Sequence, residues 1–112
     1  MARTTIEFAS SDDVMGLIRL WTLENGFEIV EKEGDNYKLY KKKGSLLRAS
    51  LVRAADQYFL EISKNGSNYT LSAWIKTITS EKALTGALFH ATNKPYRKQI
   101  NNLLNLLELP KI

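Results

Sequence analysis

The spacing of apolar residues changes several times along the chain, and each change marks an element. "TTIEF" alternates, with Ile6 and Phe8 on one side and Thr5 and Glu7 on the other, which predicts a strand. After "SSDD" the period lengthens. Val14, Leu17, Ile18 and Trp21 stand at i, i+3, i+4 and i+7, the spacing of one helical face. Ser11 suits the N-cap, with Asp12 and Asp13 where the helix dipole favours acids. Met15, Leu20 and Leu23 widen the apolar face, so this helix is expected to be well covered. Asn25-Gly26 supplies its stop.

Alternation then returns. "FEIVEKEGDNYKLYKK" reads as a hairpin around Gly34-Asp35, in a register that sets Glu31 opposite Lys38 and Glu28 opposite Lys41. "YFLEISKNGSNYTLSAWIK" is a second hairpin, signalled by Asn65-Gly66. Centred there, the turn places Ile62 opposite Tyr69, Leu60 opposite Leu71 and Phe59 opposite Ser72. Tyr69, Leu71, Ala73 and Ile75 form its buried set. The opposite set is Thr70, Ser72, Trp74 and Lys76, so one tryptophan stands on an otherwise polar face.

Residues 44–57 read as an extended stretch followed by a loop or, with Leu47, Leu51, Ala54, Ala55 and Tyr58 near one side, as a short helix, and residues 77–93 as an irregular connection with a bend at Gly86. The last element is a helix with Ile100, Leu103, Leu104 and Leu107 as its stripe, Pro95 in its first turn and Pro110 after its end. The order is β-α-β-β-(β)-β-β-α. Two amphipathic helices need a sheet face to cover. The expected fold is therefore α+β, a twisted antiparallel sheet with both helices on one face, in a layout similar to TBP-like or helix-grip domains.

The 112 residues suffice for one domain spanning 1–112, and 44% hydrophobic with 25% charged residues is a globular balance. The absence of cysteine excludes disulfides, thiolate metal sites and a thiol nucleophile within the chain. No run approaches a membrane span, and "MARTTIEFAS" lacks the apolar core of a signal peptide, so a cytoplasmic location is expected. Charge is uneven. Residues 1–36 hold three basic and eight acidic side chains, net −5, and residues 37–112 hold thirteen and four, net +9. Such asymmetry points to an anionic partner or to halves that face each other.

Catalytic chemistry is sparsely supplied. His90 is the single histidine and has no acid beside it in sequence. Asp12 and Asp13 read as helix-start residues, and no spacing suggests a metal or cofactor site. No catalytic residue is therefore assigned, and no enzyme activity is expected.

Two surfaces remain. Lys41, Lys42, Lys43, Arg48 and Arg53 lie in a stretch without acids, and with nearby aromatics they could meet nucleic-acid phosphates. Phe59, Trp74, Leu39 and Val30 fall on the sheet face away from the helices and suit an interface with a protein partner or a second copy. Interaction through that outer face or through a sheet edge is the leading expectation. Nucleic-acid binding through residues 38–53 and a small ligand between sheet and helices are the alternatives.

"ARTTIEF" at Ala2–Phe8, "AWIK" at Ala73–Lys76 and the Gly86-containing stretch carry a resemblance. On these the chain resembles a family of small uncharacterised bacterial proteins, nearly full length in layout but through short motifs. The resemblance implies one compact domain and brings no catalytic residues. Some members look fused to zinc-ribbon modules, for which this chain has no cysteines, and "SLLRASLVRAADQ" is longer than the family's counterpart.

Overall fold

The computed structural model describes residues 3–43, 57–76, 81–84 and 90–112. Strand β1 (Thr4–Ala9) leads into helix α1 (Val14–Glu24), then β2 (Glu28–Glu33), β3 (Tyr37–Lys43), β4 (Gln57–Asn65), β5 (Asn68–Lys76), the short β6 (Glu81–Ala83) and helix α2 (His90–Leu106). The sheet runs β1-β5-β4-β3-β2, with β6 also paired to β5. All its pairings are antiparallel. Helix α1 therefore carries the chain from one edge of the sheet to the other, and β2 to β5 return as a meander. The stretch 44–56, expected to be extended and then looped, lies outside the described residues.

One face of the sheet is the core. Tyr40, Tyr58, Leu60, Ile62, Tyr69, Leu71, Ala73 and Ile75 meet Val14, Met15, Ile18 and Trp21 of α1 and Tyr96, Ile100, Leu103 and Leu104 of α2 in one cluster. Each fully buried Leu or Ile contributes roughly 1.5–3 kcal/mol of transfer free energy. Both helices thus cover the same face, as the periodicity predicts. Leu20 and Leu23 do not join them. They lie on the far side of α1 from Ile18 and are each 63% exposed, against the expectation of full cover.

The helix ends differ from the sequence reading in detail. Asp13, not Ser11, caps α1, its Oδ1 accepting from the Gly16 N–H at 3.1 Å. Gly16 leaves room for that cap, since a Cβ there would sit 2.6 Å from Asp13 Oδ2. The stop is where Asn25-Gly26 places it. Gly26 adopts φ +79°, and the Phe27 and Gly26 amides return to the carbonyls of Thr22 and Leu23, a Schellman closure. Helix α2 starts at His90, before Pro95, so Pro95 sits inside the helix rather than in its first turn. It withholds a donor from Ala91, a loss that burial along the stripe offsets.

The same Schellman closure ends α2 on a different residue. Leu109 and Glu108 donate to the carbonyls of Leu104 and Asn105, with Glu108 at φ +58°. A residue with a Cβ is disfavoured there by roughly 1–2 kcal/mol, part of which glycine returns through its freer unfolded chain. Glu108→Gly should therefore raise stability by up to about 1 kcal/mol. The check is a higher midpoint in urea unfolding with an unchanged slope.

Candidate functional site at the outer face and edge of the sheet

The helices occupy one face, so what the other face and the free edges present is set by register. In the second hairpin Asn65 pairs with Asn68, leaving Gly66-Ser67 as the two-residue loop with Gly66 at φ +66°. A glycine with positive φ in the first loop position replaces the expected Asn-Gly turn. Every pairing moves by two residues from the expected register. Ile62 faces Leu71, Leu60 faces Ala73, and Phe59 faces Trp74 rather than Ser72. A shift of two keeps each side chain on its predicted face, because the strand period is two.

On the outer face the Phe59 and Trp74 rings lie parallel, 2° apart with centroids separated by 5.4 Å. Trp74 is 3% exposed, and Phe59 is half-buried. The Arg3 guanidinium carbon lies 3.7 Å from the Trp74 ring centre. Arg3 also approaches Glu61, Nη1 to Oε1 at 4.0 Å, while the Tyr37 hydroxyl donates to Glu61 Oε2 at 2.7 Å. Thr5 and Ser72 join their hydroxyls at 3.0 Å on the same face. The tryptophan on the polar face is thus covered by a cation and flanked by a carboxylate.

Arg3, Glu61 and Tyr37 are absent from the sequence-predicted set. The alternation of Arg3, Thr5 and Glu7 could have shown that Arg3 shares a face with Thr5. It could not show that β5, with Trp74, is the neighbour of β1. Leu39 is half-buried opposite Glu31 and Glu61. Val30 stands apart from the aromatic pair, at a β-bulge on β2.

That bulge corrects the first hairpin. Glu28 pairs with Lys41 as predicted, with Nζ to Oε1 at 3.8 Å. Beyond Val30 the register slips by one, so Glu31 faces Leu39 and Lys32, not Glu31, faces Lys38. The slip keeps Glu28, Glu31 and Glu33 on the outer face, aligned with Lys41, Leu39 and Tyr37. Among the described residues β2 pairs with β3 alone, and all six of its residues are exposed, Ile29 at 49% and Val30 at 47%.

The predicted phosphate-binding set is not brought together within the described residues. Strand alternation puts Lys41 on the outer face, against Glu28, and Lys42 on the helix side. The Lys42 ammonium donates to the Asn25 carbonyl at 2.9 Å and lies 5.0 Å from the Phe27 ring centre and 5.9 Å from that of Tyr58. It thereby supplies the positive charge that the last turn of α1 lacks. Arg48 and Arg53 lie outside the described residues, and so does the side chain of Lys43. Among the described residues no three His, Asp or Glu side chains gather to hold a metal ion, and no helix is long and apolar enough to cross a membrane.

Several of these groups titrate abnormally. Burial raises the Tyr37 hydroxyl above its usual value, and its bond to Glu61 raises it further. Burial also raises Tyr40 and Tyr96. A tyrosine raised in the folded state favours folding while it stays neutral, so that contribution is fully present below the usual value of 10.0 and is lost as pH rises towards the folded pKa. Burial lowers Lys42 from 10.5, which acts in the opposite sense just below that pH. With three groups against one, stability should fall above pH 10.0, as urea unfolding across alkaline pH would register. Phenolate absorbance should lag behind that of the unfolded chain.

No protein-family model matches the chain, and no curated protein matches it.

Proposed function

We propose that the chain is a non-enzymatic interaction domain that binds a protein partner by receiving one of its extended segments along the free edge of β2. The observation that carries this reading is the state of that strand. It is six residues long, pairs among the described residues with β3 alone and is exposed at every position. An unpaired edge offers a row of backbone donors and acceptors, the element that strand-addition binding uses. Ile29 and Val30 add apolar contact there.

The charges on the edge define the partner. Glu28, Glu31 and Glu33 all face outward from one side of the sheet. A second copy of β2 laid antiparallel with faces matched would set glutamate against glutamate, which is destabilising. The edge is therefore closed to its own copy and open to a segment carrying lysine or arginine at alternate positions. Such use of repulsion as well as attraction is how binding surfaces discriminate. The aromatic outer face serves less well as the docking surface, because Trp74 is already covered.

A peptide of alternating lysine and valine tests the reading. It should bind at low salt, measured by calorimetry, with affinity falling as salt rises. A peptide of alternating glutamate and valine should not bind. Equal binding of both peptides, or of neither, would refute the assignment. The protein itself should remain monomeric by light scattering.

A further inference from the structure

The Arg3 contact lies at a change of partner along β5. Residues Asn68–Ala73 pair with β1, whose ladder ends at Thr4 opposite Ala73. From Trp74 onward the same edge pairs with β6, beginning at Ala83. The Leu84 amide donates to Thr4 Oγ1 at 2.9 Å and closes the junction. Arg3 is the residue immediately before the β1 ladder, and its side chain lies across Trp74.

The groups around the guanidinium belong to a different part of the molecule. Trp74, Phe59, Glu61 and Tyr37 stand on β5, β4 and β3, which are paired along their lengths. Together they form a flat aromatic floor and a carboxylate, the latter fixed by the tyrosine hydroxyl at 2.7 Å. A guanidinium suits this arrangement better than an ammonium. It is planar, stacks on an indole and keeps its N–H donors in its own plane, free to meet a carboxylate beside the ring. The receptor is held by the sheet, and its occupant comes from the residue just before the β1 ladder. Side chains of Arg3 and Glu61 retain 31% and 27% exposure, so exchange needs no unfolding.

We infer that Trp74, Phe59, Glu61 and Tyr37 form a receptor for the guanidinium group of another molecule, and that Arg3 occupies it in cis. Arg3 then acts as a tethered competitor. An external guanidinium sees only the fraction of molecules from which Arg3 has withdrawn, which weakens its apparent affinity by that fraction.

The test compares wild type with Arg3→Ala, using N-acetyl-arginine amide as the probe and the neutral N-acetyl-citrulline amide as the control. Calorimetry or two-dimensional NMR reads the binding. Arg3→Ala should bind the arginine probe about ten-fold more tightly than wild type, the factor expected if Arg3 holds the site roughly nine-tenths of the time. The citrulline probe should not bind, and Arg3→Ala/Glu61→Gln should lose the gain. Both substitutions lie on the surface, and amide spectra would verify the fold. Binding by Arg3→Ala no tighter than wild type would overturn the inference, as would a gain that survives Glu61→Gln.

Discussion

Tyr96→Ala should cost about 3–5 kcal/mol of folding stability, the range for removing a large buried aromatic. Tyr96 is fully buried at the centre of the helix–sheet contact. Its ring stacks on Tyr58 at 4.3 Å and 3° and lies 6.1 Å from Phe27, which in turn contacts Trp21 at 5.4 Å. One side chain thus joins α2 to β4 and to the end of α1. Its hydroxyl also donates to the Phe59 carbonyl at 2.6 Å, on the strand that carries one member of the outer-face aromatic pair. A domain of this size is typically stable by about 5–15 kcal/mol, so the alanine variant should be marginal or unfolded. Tyr96→Phe keeps the stack and loses one hydrogen bond, worth about 0.5–1.5 kcal/mol. Urea unfolding of the two variants separates these terms. A loss below about 1 kcal/mol for Tyr96→Ala would mean that α2 is not anchored through this residue.

Reversing the edge charge has the largest expected effect on binding. Glu31→Lys/Glu33→Lys should weaken capture of the lysine-valine peptide by at least about ten-fold, since each change replaces attraction with repulsion at the strand being added. Both positions are exposed and among the described residues no salt bridge reaches either, so stability should move by less than about 0.5 kcal/mol per change. The same variant should accept the glutamate-valine peptide that wild type refuses. Unchanged affinity for the lysine-valine peptide would show that it binds elsewhere.

Local pattern carried the core and much of the fold. The helical spacing of Val14, Ile18 and Trp21 and that of Ile100, Leu103 and Leu104 describe faces that are buried. The alternating set from Tyr69 to Ile75 is the core side of β5. Glu28 opposite Lys41 was legible because the strand is regular at that point. Glu31 opposite Lys38 was not, because "FEIVEKE" contains nothing that marks a bulge at Val30. Asn65-Gly66 is a strong turn signal, but the loop forms on Gly66-Ser67, so the register that the signal predicts for the second hairpin lies two residues off. Parity preserves the faces, so the expected register sets Phe59 beside Ser72 instead of Trp74 without turning it inward.

The outer cluster was legible only in part. Phe59 and Trp74 could be placed on one face from their own hairpin. Arg3 immediately precedes β1 and Tyr37 stands on β3, and their arrival depends on which strands neighbour which. Strand order is a property of the whole sheet, fixed by the path of α1 from one edge to the other, and no local spacing encodes it. The basic stretch failed as a single surface for a related reason. Adjacent lysines look like one patch in a sequence, but on a strand Lys41 and Lys42 point to opposite faces, one to Glu28 and one to the end of α1.

The central claim is that β2 is the edge at which a partner strand is added. Amide hydrogen exchange, measured with and without the lysine-valine peptide, tests it most directly. Peptide should slow exchange at those amides of Glu28–Glu33 that point away from β3, and leave β1 at the opposite edge unchanged. Protection along β1, or around Trp74 with none in β2, would contradict the account.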